Sequence, residues 1–476
     1  MDWLRLMLAL LLPWGAGVVW LRWRWHDPPP GAWALVLGYG YLLGMLTTTL
    51  IMRVMDLAGL PQNFLVTCAL LIAVTIIGLW LSRDMVWFDG GLHRGNPAKQ
   101  TSAMWEKVAI GVLLALIVVR YAGLALEVYW RPLFPWDAWT VWAVKSKVWF
   151  ELKHLVPFVD GLTWKNHPGQ VYTVEAWYYP RTVSLVSTWM ALALGRWDDA
   201  LINLPWLLCA IALGLGFYGQ SRAWGATPLT SLVFTYLLLS LPLLNTHVAL
   251  AGYADLWLAA SYGFAGMAFL QWLRTGAVRY GLLALGFGVA CVTIKVEGLL
   301  WLLTFAPALF VSRAPPKVAV MGLFVILLGI GVWLLNGGFE IHIPGAGEII
   351  ITPETIAIPH IGRFNLLLNM DWQPFVINLF VLDNWHLLWF LFVVVAWLAL
   401  SARGKRKSLI APSVFILTGF IALGFVFFFT SAAAWASDST AVNRLLMHMV
   451  PVVVFYILLI VQDGLLELDS PEATRV

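Results

Sequence analysis

The chain has 476 residues, 61% of them hydrophobic and only 11% charged, with 29 tryptophans and a formal charge of +4. An average soluble domain is about 25% charged, so a water-soluble globular protein is excluded and an all-α polytopic membrane protein is expected. The charge is small for this length, so its placement matters more than its sum; no nucleic-acid partner is expected.

In chain order, the first apolar run, residues 1–21, has the look of a signal peptide. It lacks a small-residue cleavage site, and a second run follows after only WRWHDPPP, so it is expected to stay as the first helix. A bilayer core of about 30 Å needs about 20 apolar residues per helix. Runs bounded by charges and prolines give about thirteen transmembrane candidates, near 3–21, 31–51, 63–82, 107–128, 200–219, 227–244, 256–273, 280–295, 298–312, 318–335, 384–402, 409–430 and 445–462. Cys68, Cys209 and Cys291 all fall inside such runs and are expected to act as small hydrophobes, not as a disulfide or zinc framework.

Cytoplasmic loops carry an excess of Lys and Arg. With the loop 83–106 inside, alternation puts fifteen basic residues on that side: Arg22, Arg24, Arg83, Arg94, Lys99, Lys107, Arg222, Arg274, Arg279, Arg313, Lys317, Arg403, Lys405, Arg406 and Lys407. Only Arg53, Lys295 and Arg444 fall in short loops and helix ends opposite. The asymmetry predicts an external N-terminus, a cytoplasmic tail over 463–476, and two long external loops, 129–199 and 336–383. No clear internal repeat is visible, which disfavours transporters built from paired repeats. The stretch GLGFYG, Gly214 to Gly219, has the spacing of a dinucleotide-binding loop but lies in an apolar span with no preceding strand. Close helix packing is its better account.

The first external loop contains RPLFPWDAWTVWAVKSKVWFELK, residues 131–153. As a helix from 137 to 153 it puts Thr140, Lys147 and Glu151 on one polar stripe, with Lys147 and Glu151 spaced to pair, and tryptophans elsewhere. Such a segment is expected to lie at the membrane interface. Asp137, at its start, is either an N-cap or a carboxylate held at the mouth of a cavity. Further on, a run of about fifteen apolar residues ends at Gly195. Because a span there would invert every later loop, a surface or partly inserted helix is expected. Asp198 and Asp199 are expected to cap the next span. The second external loop carries the β-branched run EIIIT, which predicts a short strand or hairpin, and its length suits a lid or binding element.

Taken together, PWDAWTVWAVKSK (135–147), YYPRTVSLVSTWMALALGRWDD (178–199), GYADLWLAA (252–260), IKVEGLLWLL (294–303) and NRLLMHMVP (443–451) resemble the type C glycosyltransferase superfamily. The resemblance is closest to bacterial relatives of protein O-mannosyltransferases and of lipid A aminoarabinose transferase. It covers about 107–462, so residues 1–106 stand as an N-terminal three-helix addition. The chain departs from those relatives in a long insertion before Tyr179 and in having Pro180-Arg181 in place of a Lys-Pro-Pro element.

The resemblance implies transfer of one sugar from a polyprenyl-phosphate donor to a lipid, glycan or protein acceptor at the outer face of a bacterial inner membrane, by inverting single displacement. It implies Asp137 as general base. Lys145, Glu175, Tyr179, Arg181, Asp255, Lys295, Glu297, Arg444 and His448 are the expected substrate-binding residues. Lys295, Arg444 and Arg181 are the cations available to the leaving phosphate. Lys295 also sits two residues from Glu297, where a structural pair is the alternative, and His448 and Arg120 have structural alternatives inside the bundle. A divalent cation remains open, with no metal ligands assigned, because no tight cluster of carboxylates or histidines is visible. A lipid or glycan transporter or flippase is the rival from another class.

Overall fold

The computed structural model describes residues 2–22, 28–83, 103–343, 347–358, 362–401, 407–438 and 440–468. Arg24, Arg94, Lys99, Arg403, Lys405, Arg406 and the end of the tail lie outside them.

Four long apolar helices open the chain: α1 (Asp2–Arg22), α2 (Ala32–Leu57), α3 (Phe64–Leu81) and α4 (Met104–Trp130). Asn63 starts α3 by accepting from the amides of Leu65 and Val66, which satisfies two of the free donors at a helix start. After α4 the chain runs through a single π-turn, Ala138–Ala143, into α5 (Val144–Leu152), then α6 (Gly161–Asn166) and α7 (Thr182–Leu194). Next come α8 (Leu204–Trp224), α9 (Pro228–Leu239), α10 (Pro242–Ala249), α11 (Asp255–Thr275) and α12 (Val278–Ile294). They are followed by α13 (Gly298–Leu303), α14 (Phe305–Arg313) and α15 (Pro316–Asn336). Pro242 cannot continue the hydrogen-bond ladder of α9, and α9 and α10 meet at 62°.

A small sheet then interrupts the helices, within the second loop, where the run EIIIT predicted a strand or hairpin. Residues 339–365 form an antiparallel four-stranded sheet: β1 (Phe339–Ile343), β2 (Gly347–Ile351), β3 (Thr355–Ile358) and β4 (Gly362–Asn365), paired in sequence order. The run EIIIT supplies β2, which pairs with β1 in the register Ile341 to Ile349. The sheet is tied to the bundle through Trp333 Nε1, which donates to the Ile351 carbonyl, and through a bridge from Leu366 to Thr430. The chain ends through α16 (Gln373–Val376), a π-turn, α17 (Leu388–Ser401), α18 (Lys407–Phe429), α19 (Ala434–Ser437) and α20 (Val442–Leu468).

Among the described residues, eight helices are long and apolar enough to cross a membrane, or nine with the bent pair α9–α10 counted as one span. This is a multi-pass membrane protein. The other expected spans fall on the shorter α12, α13–α14 and α17 and on α15. The expected thirteen therefore stand at eight to nine by length and apolarity.

The centre is formed by α11 and α20, whose best spanning windows are each 89% buried, whereas that of α4 is 11% buried and peripheral. Around this axis α2 packs on α1 and α8, while α12 packs on α11. Close approach is made possible by glycine. A Cβ on Gly38 of α2 would run into the backbone nitrogen of Gly216 and the carbonyl of Ala212 on α8, and one on Gly219 would meet the backbone of Leu35. The GLGFYG stretch is thus a helix-packing surface. Just beside it the Tyr39 ring stacks on Phe264 at 4.0 Å, and its hydroxyl donates to Gln220 Oε1 and the Phe264 carbonyl. The three cysteines are buried and unpaired.

Two local expectations are corrected. Of the two placements expected for α7, surface and partly inserted, the surface one is overturned, since all thirteen residues are buried. At 1.5 Å per residue it is about 20 Å long, too short to span, yet it carries no charge and its Ser184, Ser187 and Thr188 let neighbours approach. The interfacial helix begins with a π-turn, so its register shifts. Lys147 sits near the Trp197 ring at 6.0 Å and forms no ion pair with Glu151, while Lys145 is buried. Asp198 accepts from the amides of Ala200 and Leu201 and so caps the turn leading into α8, as expected, whereas the Asp199 carboxylate accepts from Trp197 Nε1 and caps nothing.

Overpacking a tight contact costs about 1–3 kcal/mol and sometimes more. Gly38→Ala should therefore lower the unfolding temperature of the detergent-solubilised protein by several degrees. Gly111→Ala, where a Cβ meets nothing within 4 Å, should leave it unchanged.

Candidate functional site

Four segments far apart in sequence come together at one end of the bundle. Asp137 closes the loop after α4, Asp255 is the first residue of α11, Lys295 and Glu297 occupy the break between α12 and α13, and Arg444 and His448 lie in the first turns of α20. The break forms because Lys295 takes an extended conformation, φ −152° and ψ 153°, which turns its side chain inward from the helix end.

The hub is Asp255, whose side chain is 0% exposed. Its Oδ1 accepts from Lys295 Nζ at 2.9 Å and from His448 Nε2 at 3.0 Å. Its Oδ2 accepts from Arg444 Nε and Nη2 at 3.2 and 2.9 Å. Trp301 Nε1 donates to His448 Nδ1 at 3.0 Å. An indole nitrogen only donates, so Nδ1 is an acceptor and the imidazole proton sits on Nε2, facing Asp255. Both ring nitrogens of His448 are thereby engaged within the protein. Lys295 is shared with Glu297 Oε1 at 3.0 Å, so the structural pair inferred from the sequence does form.

Arg444 bridges the hub to the surface. Its Nη1 donates to Asp137 Oδ2 at 2.8 Å, and its guanidinium lies over the Tyr253 ring at 4.7 Å. The Asp137 side chain is 37% exposed. It makes no N-cap hydrogen bond, so the capping alternative is set aside. Its Oδ1 has no protein partner among the described residues, and the exposed Trp136 and Trp139, close to it in the chain, meet each other edge to face. Two further acceptors are buried without a partner: Glu297 Oε2 and Asn443 Oδ1.

The remaining expected residues are placed differently. Lys145 joins none of the hub contacts and donates to the carbonyls of Ala176, Trp177 and Tyr179 at 3.0, 3.1 and 3.3 Å. It holds the turn that presents Tyr179, and burial, then the nearby Arg181, lowers its pKa to about 7. The Tyr179 ring stacks on Trp142 at 5.2 Å. The charge of Glu297, then burial, raises the Tyr179 hydroxyl well above its usual value, so it stays a proton donor. Glu175 is exposed and joins none of the described ion pairs. Arg181 is exposed at the start of α7 with no ion pair or hydrogen bond among the described residues. No group of three or more His, Cys, Asp or Glu side chains suited to a metal ion occurs among the described residues.

Beside the hub runs an apolar groove of about 500 Å³ between α1, α2 and α12. It reaches from Trp20 and Arg279 at one end to Arg53, Thr182 and Thr293 at the other. The 279–293 stretch of α12 makes it about 21 Å long. At its mouth Arg53 Nη2 donates to Thr182 Oγ1 at 2.7 Å, and Thr182 Oγ1 donates to the Thr293 carbonyl. Thr293 is two residues from Lys295 and Thr182 follows Arg181, so groove and hub adjoin. The phosphate role expected of Lys295 and Arg444 meets a physical obstacle, since both are engaged by Asp255. The cation lining the groove mouth is Arg53, and Arg181 directly precedes Thr182 there. Arg53 stood out in the sequence only as a lone charge near a span end, and Trp301 carried no signal at all.

Comparison of the chain with family models, with curated proteins and with solved structures gave no match.

Removing one partner of a buried ion pair costs about 3–5 kcal/mol, because the other charge is stranded. An exposed pair is worth about 0–1 kcal/mol. Asp255→Asn should therefore strongly destabilise the protein in thermal unfolding, while Asp137→Asn should leave stability nearly unchanged. Equal losses would remove the distinction between buried hub and accessible carboxylate.

Proposed function

We propose that the protein is a membrane glycosyltransferase that moves one sugar from a polyprenyl-phosphate donor to an acceptor hydroxyl at the outer membrane face. The observation that carries this reading is an accessible carboxylate, Asp137, held by Arg444 against a buried charge hub that adjoins a long apolar groove with cations at its mouth. An isoprenoid chain needs such a groove and a phosphate needs such cations. The resemblance of the sequence to type C glycosyltransferases agrees with it.

In this mechanism Asp137 Oδ1 takes the proton of the acceptor hydroxyl as its oxygen attacks the anomeric carbon. The bond from that carbon to the phosphate oxygen breaks, its electron pair goes to the phosphate, and polyprenyl phosphate departs with inversion. Arg444 orients Asp137, and Asp255, Lys295 and His448 are positioning residues that hold Arg444. Tyr179, Glu297 Oε2 and Asn443 Oδ1 offer donors and acceptors to sugar hydroxyls. Arg53 and Arg181 receive the phosphate. The sheet over 339–365 is proposed to influence acceptor choice. A lipid flippase is the second reading, favoured by a groove that runs between cations at both its ends.

General-base help is worth about 10²- to 10⁴-fold. In lipid nanodiscs loaded with a panel of radiolabelled polyprenyl-phosphate sugars, Asp137→Asn should lower kcat/KM by that factor while the protein remains folded. Gly286 lines the groove, and a Cβ there meets nothing within 4 Å. Gly286→Phe should therefore raise KM for long-chain donors more than for short-chain ones. Full transfer by Asp137→Asn would end the base assignment. Lipid translocation without any transfer would favour the flippase.

A further inference from the structure

A second cavity, of about 530 Å³, lies between α4 and α10 and shares no lining residue with the donor groove. Its walls include Arg120, Gly123, Glu127, Arg131, Asn245 and Leu250. Arg120 lies inside a membrane-spanning helix, ten residues before its end at Trp130, or about 15 Å along the axis. It is exposed and makes no ion pair among the described residues. A guanidinium at that depth is costly without an anion or water beside it. Glu127 does not supply the anion, since it pairs with Arg131 at 3.1 Å.

The opposite wall carries a complementary demand. Asn245 is 5% exposed, and its Nδ2 is spent on the Leu241 carbonyl. Its Oδ1 is buried with no partner and calls for a donor. Between these polar points the walls are apolar: Leu124, Pro242 and Ala249. An occupant that answers all three has an anionic group for Arg120, a hydroxyl or N–H for Asn245 and a hydrocarbon portion for the walls. A membrane lipid with an anionic, hydroxyl-bearing headgroup has all of them, whereas free phosphate lacks the hydrocarbon.

The wall of the cavity is also joined to the base by a short stretch of chain. From Leu250 on its wall the chain reaches Gly252, whose α-carbon packs so closely on Ala138 that a Cβ there would lie 2.7 Å from the Ala138 Cβ; Ala138 directly follows Asp137. The donor groove, in contrast, opens beside Lys295 and Arg181. We infer that the α4–α10 cavity is the acceptor site and that the acceptor is an anionic membrane lipid, an inference that rests on the glycosyltransferase reading.

The test separates binding from transfer. Native mass spectrometry of the purified full-length protein would be titrated with phosphatidylglycerol, phosphatidylcholine and inorganic phosphate as probes. Phosphatidylglycerol should bind in preference to phosphatidylcholine, and phosphate should not displace it. Loss of a charge-assisted contact should weaken it about tenfold or more in Arg120→Gln, with Arg120→Lys intermediate. Gly123→Trp should also abolish binding, since a Cβ at Gly123 meets nothing within 4 Å and the indole can fill the cavity without displacing the helix. Both variants should lose transfer of label into the lipid fraction while retaining wild-type unfolding temperature. Equal binding by all variants, or displacement by inorganic phosphate, overturns the proposed site. If Asp137-dependent transfer continues in Gly123→Trp, this inference fails and the glycosyltransferase reading survives. If the lipid binds as expected but Asp137→Asn loses no activity, the glycosyltransferase reading fails and takes the acceptor role with it.

Discussion

A carboxylate stripped of water must be surrounded by charge and hydrogen bonds or it does not stay ionised inside a protein. Asp255 is so placed, and its four contacts with Lys295, His448 and Arg444 determine where three helices stand relative to one another. The first residue of α11 is tied to the end of α12 and to the first turns of α20. Arg444 carries this rigidity outward to Asp137. The accessible carboxylate is therefore aimed by a buried one, through one bridging guanidinium.

Helix packing makes that convergence possible. Glycines on α2 and α8 let these helices touch backbone to backbone, so α2 is pressed into the bundle and with α1 forms one wall of a groove whose other wall is α12. Short elements do the rest. With thirteen buried residues α7 begins at the mouth of that groove, and the break at Lys295 ends α12 at the hub. A full-length span at either place would carry the polar residues past the site.

The two cavities share no lining residue, and their chemistry differs. One is long and mostly apolar, with Arg53 held by Thr182 at its mouth. The other carries an unneutralised guanidinium and an unpaired amide oxygen. An enzyme joining two membrane-bound substrates needs two lateral entries to one base. A route from one leaflet to the other needs only one.

The sequence by itself determined the membrane class, the placement of most helices, and the free character of the cysteines, because long apolar runs and span-end charges have no other stable home. It also named the residues of the hub: Asp137, Asp255, Lys295, Glu297, Arg444 and His448 all lie at the ends of apolar runs, where a charge is visible against its surroundings. Their partners were another matter. Whether Lys295 meets phosphate or Asp255, whether Lys145 faces a substrate or three carbonyls, and whether α7 lies on the surface or in the core depend on contacts between segments up to hundreds of residues apart. Local periodicity carries no record of those distances. Only the tertiary structure decided them, since the low dielectric of the bundle makes each buried charge seek whichever opposite charge the packing brings within about 3 Å.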